Sequence, residues 1–320
     1  MRPDLSIVVP VFEEQESLPE LADAIRNACQ AGDLSFEALL VDDGSRDRSW
    51  SVIQSLADVD PRFRGIRLKR NYGKSAALSV GFEEAAGTFV VTMDADLQDD
   101  PAEIPALIDI LREGHDLVSG WKRERKDPLS KTIPSRFFNS LARVLSGIPL
   151  HDFNCGLKAY RSEVVKDIRL YGELHRHIPV LARNEGYDRI AEKSVVHHAR
   201  KYGRTKFGFE RYLRGFLDLL TVQFLTRFAS RPMHFFGSLG TIAFLGGFLI
   251  SLYLSIDKLV LGHPLGDRPL LLFGAVLILL GAQMFLTGLI GEIIIRERME
   301  RTSERIVAER TAARVESLRP

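Results

Sequence analysis

Phe89-Val90-Val91-Thr92-Met93-Asp94-Ala95-Asp96-Leu97-Gln98 is the stretch on which the fold turns. A short apolar strand ends in two carboxylates, at the point where an open α/β sheet presents its ligands, outside the carboxyl ends of its strands. Carboxylates at i and i+2 on a segment turning into a loop can reach one divalent cation. A hard cation such as Mg²⁺ takes one or two carboxylates and completes its shell with substrate phosphates. An Asp-x-Asp alone is also a common surface turn, so its meaning depends on its surroundings.

Around it, the first 120 residues alternate apolar runs with helical patterns. Strands are predicted at 5–9, 38–41, 65–68, 89–93 and 117–119, and helices at 17–31, 49–57, 74–86 and 104–113. This is the βαβα order of a mostly parallel sheet covered on both faces. Ser17-Leu18-Pro19-Glu20 has the spacing of a capping box. Asp42-Asp43-Gly44-Ser45 reads as a tight turn after the second strand, and Asp99-Asp100-Pro101 breaks the chain beyond the Asp-x-Asp loop. Further on, 121–127 reads as a mobile charged loop, 134–147 as a helix opening on a proline, and 207–228 as an amphipathic helix lying in a membrane interface.

The 320 residues carry 43 basic and 42 acidic side chains, a net charge of +1, so no global field selects nucleic acid. Two cysteines, Cys29 and Cys155, stand in no metal-ligand spacing, which fits a reducing compartment without disulfides. The histidines at 151, 175, 177, 197 and 198 show no zinc-like spacing with them. No leader pattern precedes the first strand, and no cleaved signal peptide is expected.

Residues 234–256 and 270–295 are each long enough to cross a hydrocarbon core, which takes about 20 largely apolar residues. Residues 235–256 carry no charge and include Gly246-Gly247, which favours membrane spans over buried core helices. Glu292 is expected to reach the interface or pair with a neighbouring arginine. Arg211, Arg214, Arg227 and Arg231 before the first span, and Arg296, Arg298 and Arg301 after the second, outnumber Lys258 and Arg268 between them. The positive-inside rule then puts both termini, and the sheet domain, in the cytoplasm. Small-residue faces around Gly237, Gly240, Gly246 and Gly281 point to lateral helix packing and a homo-oligomer.

Several motifs now fall in one order: Val9-Pro10-Val11-Phe12-Glu13-Glu14, Val41-Asp42-Asp43-Gly44-Ser45, Arg70-Asn71-Tyr72-Gly73-Lys74 and Asp94-Ala95-Asp96-Leu97-Gln98. Asp152-Phe153-Asn154-Cys155-Gly156-Leu157-Lys158 and Arg200-Lys201-Tyr202-Gly203-Arg204-Thr205-Lys206 follow. The series resembles the GT-A glycosyltransferases of family 2, and within them the polyprenyl-phosphate glycosyltransferases, which include dolichol-phosphate mannose synthase and bactoprenol glucosyltransferase. The likeness covers essentially the whole chain, and two C-terminal spans match the bactoprenol branch. One departure is Glu13, where the family usually has asparagine; Glu13 is left without a role, and the charged tail is a second departure.

The resemblance implies a GT-A, Rossmann-like catalytic domain over 1–206, with a nucleotide half at 1–120 and an acceptor half at 121–206. An interfacial helix at 207–233, two spans within 234–295 and a charged cytosolic tail at 296–320 complete the chain. Asp94 and Asp96, with Gln98, are expected to hold Mg²⁺ or Mn²⁺ against the diphosphate of the donor. Pro10, Phe12, Glu14, Asp42, Asp43 and Lys74 are assigned to the nucleotide, with Asp42 or Asp43 accepting from the base imide. Arg123, Arg125, Arg136, Arg200 and Lys206 are candidates for the acceptor phosphate, because arginine matches phosphate oxygens in a fork. Asp152 is expected to position the acceptor rather than deprotonate it. The partners implied are UDP-glucose, undecaprenyl phosphate and the bilayer, with inversion at the anomeric carbon. GDP-mannose with a dolichol-type acceptor and a modified pentose such as an aminoarabinose derivative are the rival donors. A processive synthase lacks its Gln/Arg-x-x-Arg-Trp-type motif and further spans here, and a nucleotide-binding scaffold is disfavoured by the intact Asp94 and Asp96.

Overall fold

Apolar residues buried on both faces make the first strand, β1 (Leu5–Val11), and its parallel neighbours continue the pattern. The computed structural model describes residues 2–123, 139–140, 142–144, 146–170, 172, 174–199, 201–202, 232–262, 264 and 268–300. The chain forms two units, Met1–Gln223 and Phe224–Pro320.

In the first unit the order is β1, α1 (Leu18–Ala31), β2 (Phe36–Asp42), α2 (Ser49–Val59), β3 (Phe63–Arg67), α3 (Lys74–Glu84), β4 (Phe89–Thr92), α4 (Ile104–Arg112) and β5 (Leu117–Trp121). After it come β6 (Lys158–Arg161), α5 (Ser162–Asp167), α6 (Ile178–Asn184) and β7 (Ile190–Ser194). The sheet runs β3-β2-β1-β4-β6-β5-β7. All pairings are parallel except those of β6, which lies antiparallel between β4 and β5. The strand order reverses between β1 and β4, so the loops after these two strands flank the switch point where such sheets bind ligands. Leu5, Ile7, Val9 and Val11 face a core closed by α1 and α4, while Val8 faces a second core closed by α3, α5 and α6. Alternation along one strand thus serves two cores.

The predicted elements of the first 120 residues are present with ends shifted by a few residues. The capping box is not formed. Ser17 itself has helical backbone (φ −86, ψ −29) and makes no cap bond. Its hydroxyl instead bonds Glu14, to the carbonyl and to Oε2, each at 3.0 Å, because the chain already turns at Glu14. The 121–127 loop also departs from expectation at its start: Trp121 belongs to β5, and the Lys122 side chain is only 14% exposed.

In the second unit, α7 (Ser238–Leu261) follows a π-helical turn, Met233–Gly237, and pairs with α8 (Pro269–Glu300). The segments Met233–Leu261 and Pro269–Ile294, of 29 and 26 residues with mean hydropathy 2.0 and 2.3, are long and apolar enough to cross a membrane. The first is longer than expected, continuing through Asp257, whose carboxylate pairs with Arg268 at 2.5 Å. Among the described residues Glu292 accepts from the Met233 backbone N–H at 3.4 Å, meeting a helix-start donor that has no intrahelical partner.

The glycines serve this hairpin. A Cβ at Gly240 would stand 2.7 Å from the Gly281 carbonyl oxygen, and one at Gly281 would stand 2.5 Å from the Phe244 nitrogen. Gly247 meets Gly274 in the same way, at 2.5 Å from its carbonyl oxygen. The small faces at Gly237, Gly240 and Gly281 are therefore spent on packing within one chain. Only Gly246 of the four has open space around it. Of the expected interfacial helix at 207–233 only Pro232 and Met233 are described, and the tail beyond Glu300 lies outside the described residues.

Candidate active site

The site is assembled from loops at the carboxyl ends of β1, β2 and β4, the start of α3, and the loop before β6. After β4 the chain turns sharply. Leu97 takes a left-handed backbone (φ 58) and the Gln98 N–H donates to Asp96 Oδ1 at 3.2 Å. A left-handed non-glycine residue is costly and persists only where its surroundings fix it. Leu97 is fixed by packing against the core under α1 and α4.

Asp94 Oδ1 is ion-paired with Lys74 Nζ, at the first residue of α3. Burial pushes the Asp94 carboxyl up, but Lys74, with Lys122, outweighs it and holds the group below its ordinary value. Asp96 is buried, at 8% exposure. Three residues on, Asp99 is fully buried and paired with Lys122 at 2.7 Å. Burial works against the Lys122 charge, and Asp99 more than restores it, so its pKa is raised. Gly156 lets these acids approach: a Cβ there would stand 2.7 Å from Asp94 Oδ2 and 2.9 Å from Asp99 Oδ2. The Gly156 carbonyl is held in turn by the Thr92 hydroxyl at 2.9 Å.

The residues expected on the nucleotide side lie on adjacent loops. Asp42 accepts from the Ser45 N–H at 2.9 Å and pairs with Arg67 at 3.2 Å. Asp43 accepts from the Tyr72 and Gly73 N–H groups at 2.7 and 2.8 Å, tying the turn after β2 to the loop that leads into α3. Burial, with the Asp42 charge adding to it, leaves the Asp43 carboxyl above its ordinary value despite those two bonds. Gly44 is required: its φ is +70, and a Cβ would stand 2.5 Å from the Arg70 carbonyl carbon. Pro10 lies in β1, and Phe12 and Glu14 in the loop beyond it; the Glu14 N–H donates to Ser49 Oγ at 2.9 Å. Glu13, between them, has φ 56. That conformation suits asparagine better than glutamate, which gives a physical reason for the asparagine usual at this position in the resembled family.

Asp152 is buried in the turn before β6. It accepts from the Asn154 N–H at 3.0 Å and lies 3.4 Å from Asn139 Nδ2. Glu192 on β7 clamps this loop, accepting from the His151 and Asp152 N–H groups at 2.7 and 3.0 Å. Lys158 ties the other end of the loop by donating to the Phe153 and Cys155 carbonyls. Behind the Asp-x-Asp loop, the His198 N–H donates to the Gln98 carbonyl at 2.9 Å, and the Gln98 side chain lies 3.5 Å from His197 Nε2. Arg123 lies over the Trp121 ring at 5.9 Å. Arg125, Arg136, Arg200 and Lys206 fall outside the described residues.

Sequence reading missed Asp99, Lys122, Gly156, His175 and Glu192. Asp99 could have been found from its place five residues after Asp94, and Gly156 from its motif. Lys122 sat in a charge run that looked solvated, and Glu192 carries no local signal.

The sequence profile described as Glycosyl transferase family 2 matches residues 6–169, just over half of the chain. The chain belongs to glycosyl transferase family 2. This glycosyltransferase is 42% identical over 302 residues to a dodecaprenyl-phosphate galacturonate synthase of Rhizobium johnstonii, covering 92% of this chain and 88% of that one. It is 36% identical over 293 residues to an undecaprenyl-phosphate 4-deoxy-4-formamido-L-arabinose transferase of Pseudomonas aeruginosa, covering 91% and 84%. Among solved structures it is similar to the glucosyl-3-phosphoglycerate synthase of Mycobacterium tuberculosis bound to Mn²⁺, UDP-glucose and glycerol 3-phosphate. That likeness has a TM-score of 0.55 at 19% identity over 70% of this chain and 80% of that one, and speaks for the fold alone. The GT-A-like α/β fold with a mostly parallel sheet is as the sequence led us to expect.

Proposed function

We propose that this glycosyltransferase moves a sugar from a nucleoside diphosphate sugar to the phosphate of a membrane polyprenyl phosphate, inverting the anomeric carbon. The observation that carries the reading is the 42% identity, across 92% of the chain, to an enzyme named for dodecaprenyl phosphate. The long apolar hairpin supports it, as an anchor spanning the inner membrane beside a lipid acceptor, with the sheet domain and both termini cytosolic. Of the donors weighed from sequence, UDP-glucose and GDP-mannose draw no support from the relatives' names. A modified pentose does, and those names add a hexuronic acid.

Asp94 and Asp96 fit a hard divalent cation. Asp94 Oδ1 already carries a cationic group, the Lys74 ammonium. A hard cation held by one or two carboxylates completes its shell with substrate phosphates. Asp94 and Asp96, with Gln98, would hold Mg²⁺ or Mn²⁺, and such a cation would supply positive charge against the departing diphosphate. Lys74 adds positive charge on the same side. Pro10, Phe12 and Glu14 line the nucleoside pocket, with Asp42 and Asp43 shaping its far wall. The acceptor phosphate, with a second pKa of about 6, is largely dianionic at neutral pH and needs no strong base. Asp152 positions it, and Arg123, Arg125, Arg136, Arg200 and Lys206 neutralise it. Catalysis is then positioning and charge compensation.

The test is a screen of nucleotide sugars against undecaprenyl phosphate with the full-length protein in detergent, with and without EDTA. Transfer should require the cation and fall sharply in Asp96→Asn. Undiminished transfer in that variant would overturn the metal-centred reading.

A further inference from the structure

The turn before β6 is held by three sheet side chains to which the proposed reaction gives no role. Ser119 pairs in register with Glu192 across β5 and β7, and Trp121 with Ser194. Residues two apart on a strand share a face, as do paired neighbours, so Ser119, Trp121 and Glu192 present one face to His151 and Asp152. The Ser119 hydroxyl reaches the Asp152 carbonyl at 3.4 Å. Glu192 accepts from both backbone N–H groups of the turn and meets the His151 Nδ1 at 2.7 Å. The Trp121 ring stacks on the His151 imidazole, with centroids 4.3 Å apart and planes 19° from parallel.

The imidazole does two things at once. An ionised carboxylate only accepts, so His151 Nδ1 carries its proton toward Glu192, while the face of the ring lies on the indole. A phenyl ring could stack but not donate, and an amide could donate but not stack. This is not core packing: the His151 side chain is 49% exposed. Two residues past Trp121 the chain folds back, and the Arg123 N–H donates to the Trp121 carbonyl at 2.9 Å. The Arg123 guanidinium stands 5.9 Å from the Trp121 ring centre, and a cation within about 6 Å of an indole is attracted to it. One continuous series of contacts, Glu192 to His151 to Trp121 to Arg123, thus joins the Asp152 turn to the loop that opens at Arg123.

We propose that His151 is a positioning residue for the acceptor phosphate: its ring, bonded at one edge to Glu192 and stacked on Trp121, fixes Arg123 relative to Asp152. The inference rests on the reading above that both of those residues serve that phosphate. Asp152 is tied to the sheet through its own backbone, by Ser119 and Glu192. Arg123 is exposed, and the stack brings its loop into the same frame. His151 touches no reacting atom and acts through these two neighbours.

Binding of undecaprenyl phosphate and of undecaprenol to the full-length protein in detergent reads this role, because the two lipids differ only in the phosphate. An aromatic stack is worth about 2- to 10-fold and a hydrogen bond to a charged group about 10- to 100-fold. His151→Ala loses both, and should weaken undecaprenyl phosphate about 10-fold while undecaprenol changes by less than about 2-fold. His151→Phe keeps a ring over Trp121 without the bond to Glu192 and should recover part of the loss. Trp121→Leu should weaken the phosphate lipid in the same sense and add little to His151→Ala, since each removes the same stack. The ring is half-exposed, so the unfolding midpoint of His151→Ala should fall by only about 2–4 °C. Equal weakening of both lipids, or unchanged affinities in a folded His151→Ala protein, would overturn the positioning role. A wild-type protein that binds the two lipids alike overturns the acceptor reading itself, and this role with it.

Discussion

Replacing Gly156 by alanine puts one methyl group between two acids that the fold has already immobilised. The new Cβ would stand 2.7 Å from Asp94 Oδ2 and 2.9 Å from Asp99 Oδ2, where ordinary contact begins at 3.4 Å, an overlap of about 0.7 Å at the closer oxygen. Neither acid yields easily. Asp94 is held by Lys74, and the buried Asp99 by Lys122 at 2.7 Å. The backbone of residue 156 is pinned by the Thr92 hydroxyl at 2.9 Å. Overpacking of this kind costs about 1–3 kcal/mol of stability. Misplacing a catalytic group by about 1 Å costs about 100-fold in rate, so kcat/KM for sugar transfer should fall about 30- to 100-fold. The half-saturating Mg²⁺ or Mn²⁺ concentration should rise with it. Rates and cation titrations on the full-length protein measure both, and thermal unfolding reports the stability change. Gly246→Ala, where nothing lies within 4 Å, is the matched control. A Gly156→Ala protein with wild-type rate and cation requirement would refute the view that Asp94 must sit where this glycine lets it sit.

Lys122→Met leaves Asp99 charged and buried, and breaking such a pair costs about 3–5 kcal/mol; a thermal midpoint unchanged from wild type would rule out the pair as a structural element. Glu13→Asn relieves a left-handed glutamate at φ 56 and should stabilise the protein by about 1 kcal/mol, read as a raised unfolding midpoint. Burial, with help from Arg176 and Lys158, lowers the His177 pKa from 6.5 to about 4, and His175 is depressed in the same direction. The unfolded chain therefore binds these protons first. Stability contributed by the two neutral imidazoles is complete above about pH 6.5 and is lost as pH falls toward 4, by up to about 1.4 kcal/mol per pH unit per ring. Denaturation midpoints that stay flat between pH 6.5 and 4.5 would contradict this. Gly240→Leu cannot be housed against the Gly281 carbonyl, 2.7 Å from the added Cβ, and should part α7 from α8; cysteine cross-linking between the two helices should lose its wild-type pattern.

The elements that could be read from sequence are those whose residues repeat one environment. β1, β2 and β4 are buried on both faces and announce themselves as apolar runs. β6, Lys-Ala-Tyr-Arg, is as central as they are but was not predicted. Its buried lysine bonds carbonyls of the preceding loop, and a cation satisfied that way looks in sequence like a surface residue. β7, Ile-Ala-Glu-Lys-Ser, is an edge strand whose Glu192 and Lys193 serve His151 and Glu103, partners about 41 and 90 residues away. The Asp-x-Asp loop was legible because both acids are local. The surroundings that set its charge, Lys74 and Lys122, come from two separate stretches that only the folded sheet brings together. The small-residue faces of the apolar helices were seen, but spacing alone does not say whether a glycine face meets its own hairpin partner or a neighbouring chain.

The antiparallel strand in the middle of the sheet also limits how the enzyme can move. Because β6 is hydrogen-bonded to β4 on one side and β5 on the other, the halves on either side of it share one continuous ladder and have no hinge between them. Opening the catalytic unit like a clam would break central backbone bonds, at a free energy near that of unfolding the whole sheet. Amide hydrogens of β1, β4, β6 and β5 should then exchange with solvent together, at one slow rate, and turnover must be gated by loops at the sheet's rim.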